Sequence, residues 1–85
     1  MRYQPLQGES PIAILRKNNG LSQSDLAILL DAGLSTIVAI ETCALKPGKK
    51  FIENMRKHFK DADEIIEQHL SFRKAKQKAI ASALL

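Results

Sequence analysis

Cysteine occurs once in the 85 residues, at Cys43. That excludes an internal disulfide and fits a reducing compartment. Tryptophan is absent, and Tyr3 with three phenylalanines is too sparse a set for a platform on which bases stack. No apolar run reaches the roughly 18 residues of a membrane span, so no membrane role is expected. The opening MRYQPLQGES lacks the basic-then-apolar pattern of a leader, and the expected compartment is the cytoplasm. No stretch alternates apolar and polar residues with period two, which argues against a sheet. There is no glycine-rich phosphate loop and no nucleophile set beside a plausible base. His58, His69 and Cys43 are not spaced as metal ligands. No enzyme, metal or cofactor is therefore expected.

Basic residues are also missing where they would matter. None occurs between Asn18 and Leu45. Residues 1–45 hold three basic and four acidic groups, for −1, and residues 46–85 hold ten and five, for +5, which together make the net charge of +4. The positive half is a candidate footprint for nucleic acid.

What is present is a string of short helices. Ser10 is a good N-cap, and Pro11 sits at the favoured first helical position. A first helix is expected over 11–18, with Ile12 and Leu15 inward and Asn19-Gly20 as a left-handed cap. Ser22 and Asp25 make a capping box, with Leu21 and Leu26 as its staple. Leu26, Ala27 and Leu30 form the inward stripe of a second helix over 23–31, broken by Gly33. Ile37 and Ile40 give the stripe of a third helix over 34–42. Residues 44–50 read as a loop with Pro47-Gly48 as its turn signal. A fourth helix is expected over 50–60, with Phe51, Ile52, Met55 and Phe59 inward. Asp61 and Glu64 suggest a second capping box opening a fifth helix, in which Ile65, Ile66, His69 and Leu70 are periodic. The expected fold is all-α, a compact five-helix bundle. Residues 1–9 form a flexible arm, residues 10–70 the domain, and residues 71–85 a basic helical extension or tail.

Residues 21–47, LSQSDLAILLDAGLSTIVAIETCALKP, carry a resemblance. Leu21-Ser22-Gln23, Leu26-Ala27, Leu30, Ser35-Thr36-Ile37, Ile40-Glu41 and Lys46 resemble the Cro and lambda-repressor type of helix-turn-helix domain, the xenobiotic-response-element family. The resemblance implies a lambda-repressor-like fold over residues 10–70 and a DNA-binding transcription regulator. It implies that Arg16 pairs with Glu41 and that Gln23, Lys46, Lys49 and Lys50 meet DNA phosphates. Leu34, Ser35, Thr36, Val38 and Ala39 fall where its recognition helix meets base edges.

The outward residues depart from that pattern. Ser35 and Thr36 are the polar candidates for base contact, joined by Thr42 at the end of the helix. Ile28, Leu29, Leu34, Val38 and Ala39 would form an apolar outer face in the family register, and such faces mark protein interfaces. A glycine common in the family is replaced by Asp31, and another by Cys43. Two functions therefore stand. One is a DNA-binding regulator whose contacts are Gln23, Ser35, Thr36, Lys46, Lys49 and Lys50. The other is a protein-binding regulator, an antiactivator or antitoxin-like partner, that uses Ile28, Leu29, Leu34, Val38 and Ala39. The spacing of Ile66, Leu70, Ile80 and Leu84 approximates heptads, which fits a homodimer helix or a frayed tail.

Overall fold

Five helices follow one another in the computed structural model, which describes residues 8–84: α1 Pro11–Asn18, α2 Gln23–Leu29, α3 Leu34–Glu41, α4 Lys49–His58 and α5 Ala62–Ala83. Among the described residues there is no strand. No single helix among them is long and apolar enough to cross a membrane. Of the expected arm, residues 1–7 lie outside the described residues.

The local signals act as their chemistry requires. Ser10 Oγ accepts from the Ala13 N–H, and Pro11 opens α1. Gly20, at φ +69°, follows the end of α1. The Ser22–Asp25 capping box is complete: the Asp25 N–H donates to Ser22 Oγ at 3.0 Å, and the Ser22 N–H donates to the Asp25 carboxylate at 2.9 Å. Those bonds hold the Asp25 carboxyl below its usual pKa.

Three expectations need correction. The break after α2 is made at Asp31, which takes φ +51°, whereas Gly33 has φ −71° and caps the start of α3. Asp is among the few residues that tolerate this left-handed region. The Asp61–Glu64 capping box does not form: Asp61 sits at φ −96°, ψ 23°, away from the extended backbone that aims a cap side chain at the third helical N–H. Helix α4 ends at His58, two residues early, because Phe59 turns to extended backbone at φ −130°, ψ 126° and sends its ring toward the core.

α2 and α3 are inclined at 113° to each other. α1 and α4 pack against α5. Between these layers, Ile12, Leu26, Leu30, Ile37, Ile40 and Met55 are fully buried, bordered by Phe51, Ala62 and Ile66. Removing a side chain of this size from such a core costs about 2–5 kcal/mol. His69 is buried among them, with none of its surface exposed. α5 is 22 residues long and continues beyond this core through the basic run. The heptad-like stripe is divided by the packing. Ile66 and Leu70 serve the core, while Ile80 and Leu84 are exposed.

Candidate nucleic-acid interface

The α2–α3 pair is held by polar contacts that also set the geometry of its outer surface. Arg16 of α1 reaches Glu41 at the end of α3, Nε donating to Oε2 at 2.6 Å and Nη2 to Oε1 at 3.2 Å. The Arg16 Nη1 donates to the Leu21 carbonyl at 2.8 Å. Both side chains are buried, and the hydrogen bond to Glu41 raises the Arg16 pKa against the cost of burial. Gln23 Nε2 donates to Glu41 Oε1 at 3.1 Å. One N–H of the half-buried Gln23 amide is thus committed to Glu41.

The C-terminal end of α3 has no basic residue of its own, although helix ends favour positive charge there. α5 supplies it. His69 Nε2 lies 3.0 Å from the Ile40 carbonyl, Arg73 Nε donates to the Cys43 carbonyl at 3.2 Å, and Lys76 Nζ donates to the Thr42 carbonyl at 3.0 Å. Residues 69, 73 and 76 are four and three apart, so one face of α5 clamps the end of α3. Cys43 takes φ +67° between these contacts, and burial pushes its thiol pKa up. The other end of the pair is held by Asn54 of α4, whose Nδ2 donates to the Leu30 carbonyl at 2.8 Å.

Four of the six residues expected to meet DNA come together. Thr36, Lys46, Lys49 and Lys50 line one depression of about 430 Å³ between α3 and the start of α4. All three lysines are exposed. Lys50 Nζ lies 3.4 Å from the Asp31 carboxylate across open solvent, a contact of little strength. Ser35 is exposed on α3 beside this depression, and Gln23 lies elsewhere. Lys46 also lines a second depression with Arg73 and Lys74, so positive charge continues onto α5. The Thr42 hydroxyl donates to the Val38 carbonyl at 2.9 Å, which removes its proton from any base contact.

The apolar set divides differently. Ile28 is 81% exposed, Leu34 49% and Val38 37%. Leu29 instead packs against the core, and Ala39 is half-buried. Leu29 lies three residues on from the buried Leu26 and so shares the core side of α2.

Two parts of this arrangement escape sequence reasoning. The α5 clamp and the Asn54 contact both end on backbone carbonyls, which carry no side-chain signature. The spacing of His69, Arg73 and Lys76 was a usable sign that three donors share a face. Among the described residues no group of three His, Cys, Asp or Glu side chains is placed to hold a metal. Compared with known proteins, the chain matches no family model, no curated protein and no solved structure.

Proposed function

We propose that this chain is a DNA-binding regulator in which α2 and α3 act as a helix-turn-helix. The observation that carries the reading is the convergence of Thr36, Lys46, Lys49 and Lys50 on one depression beside the exposed face of α3. Two further features support it. Arg16 and Glu41 pair as the resemblance to the lambda-repressor type implies. Asp31 and Cys43 adopt the left-handed backbone at the two places where that family commonly has glycine. In this reading α3 enters the major groove, the lysines hold phosphates, and two copies address half-sites about one helical turn apart.

Three phosphate-binding lysines predict a measurable salt dependence. The logarithm of the DNA-binding constant should fall with the logarithm of salt with a slope of about −2.7 per protomer, a loss of roughly 40-fold between 50 and 200 mM. Fluorescence anisotropy with mixed genomic duplexes reads this directly. Lys46→Ala, Lys49→Ala and Lys50→Ala should each reduce the slope by about one. Absence of binding at the lowest salt would sink the reading.

One observation favours the second reading, a protein-binding regulator of antiactivator or antitoxin-like type. Ile28 is a large apolar side chain, 81% exposed, on a helix pair without a basic residue. Ile28→Glu would place a charge in an apolar interface and should weaken capture of a regulatory protein at least tenfold, an order set by the cost of an unpaired buried charge. Co-purification unchanged by Ile28→Glu, in a variant whose circular dichroism matches the parent, rules this reading out.

A further inference from the structure

We infer that α3 reads DNA through the methyl groups of thymine, an inference that rests on the DNA-binding reading above. The argument begins from what the outer face of α3 can offer. The helix sequence is LSTIVAIE, with no Arg, Lys, Asn or Gln. Those four residue types make the bidentate contacts that identify guanine and adenine. The one charged group, Glu41, is buried and already paired with Arg16 and Gln23. Ser35 and Thr36 keep hydroxyls, which bond to any base with little discrimination.

Leu34 and Val38 are the large side chains left facing outward, both exposed. They are four residues apart, so they lie on one face of α3 separated by about 6 Å along its axis. Base pairs stack every 3.4 Å or so, and two steps span about 6.8 Å. A helix lying along the groove therefore presents its two apolar side chains to base pairs two steps apart. Thymine is the one base that carries an apolar group in the major groove, its C5-methyl. Lys46, Lys49 and Lys50 provide the charge that holds a phosphate backbone against this face.

The test compares duplexes that differ only in this methyl group. The probes are a duplex of about 20 base pairs, two helical turns, of alternating adenine and thymine, and the same duplex with uracil for every thymine. A second pair alternates guanine and cytosine, with and without a methyl group on cytosine C5, which occupies the same place in the groove. Anisotropy at low salt should show binding about fourfold weaker for each methyl withdrawn from contact, so about 15-fold for uracil against thymine. The methylated cytosine duplex should bind more tightly than the plain one. Leu34→Ser and Val38→Ser, separately and together, should retain salt-dependent binding while the thymine-to-uracil ratio falls toward one. Equal affinity of the parent protein for thymine and uracil duplexes overturns the inference and leaves DNA binding standing. No binding to any of the four duplexes overturns both. The parent comparison decides the question without reliance on how the variants fold.

Discussion

Glu41→Ala is expected to lower the unfolding free energy by about 3–5 kcal/mol, a large part of the roughly 4–13 kcal/mol that a chain of this size has in total. Among the described residues, the substitution leaves Arg16 as a buried cation whose only remaining hydrogen bond is the one to the Leu21 carbonyl. The carboxylate that chiefly raises its pKa is gone, yet a guanidinium is basic enough by itself to stay charged at any working pH, so it has no neutral form to fall back on. The Gln23 amide loses its acceptor in the same step. Thermal denaturation should show a fall in Tm of at least about 12 °C, given some 4–8 °C per kcal/mol for a domain this small. Arg16→Met alone should be comparably harmful, because among the described residues it strands the Glu41 carboxylate with Gln23 as its one donor. The double variant Arg16→Met, Glu41→Leu should recover much of the loss, since two apolar groups in a core leave no buried charge unpaired. A double-mutant cycle measures the coupling. A Glu41→Ala cost below about 1 kcal/mol would mean that the pair behaves as a solvated surface contact, contrary to its burial.

The inward half of this chain was legible because it is written in side chains. Ile12, Leu26, Leu30, Ile37, Ile40, Phe51 and Met55 recur at helical spacing, and burial follows that spacing. Ser10-Pro11 and Ser22-Asp25 mark helix starts by bonds that any folded chain can make locally, and both form. The failures occur where a signal needed backbone context. Asp61 has the residue type for a cap and lacks the extended backbone to use it. Gly33 advertises a break that Asp31 makes two residues earlier.

The candidate site was legible in part for the same reason. Lys46, Lys49, Lys50 and Thr36 share a depression, as their positions after and within α3 implied. Gln23 bonds to Glu41 and lies outside that depression, and Leu29 packs against the core. The basic run of α5 reads as a helical extension or tail, and Arg73 and Lys76 donate to the carbonyls that end α3. A donor in the sequence is visible, while its backbone acceptor about thirty positions away is not. The orientation of α3 thus depends on α5, and through it the surface offered to a partner depends on a helix outside the α2–α3 unit.

That dependence passes through His69 and makes the second large prediction one about pH. Nε2 faces a carbonyl oxygen, which can only accept, so Nε2 carries the proton and Nδ1 is a bare lone pair. Nδ1 has no hydrogen-bond partner among the described residues. Burial holds the His69 pKa below its usual value; the Ile40 carbonyl and Glu41 oppose the shift, and Arg73 adds to it. A histidine with a depressed folded pKa binds a proton more readily when unfolded. Its neutral form therefore contributes full stability above the unfolded value of about 6.5, and that stability is lost as pH falls below it toward the folded pKa. Urea denaturation should show the unfolding free energy falling as pH drops below about 6.5, with a slope of up to about 1.4 kcal/mol per unit. Loss of the Asp25 cap belongs to a lower window, because its depressed carboxyl contributes above about pH 4 and fails only beneath it. His69→Leu removes the titrating group and fills its place with an apolar side chain. The Ile40 carbonyl still accepts from the Cys43 N–H at 3.1 Å, so the substitution orphans no acceptor. The variant should be flat across the same window. A parent profile that is flat over this range, or an equal slope in His69→Leu, refutes the assignment.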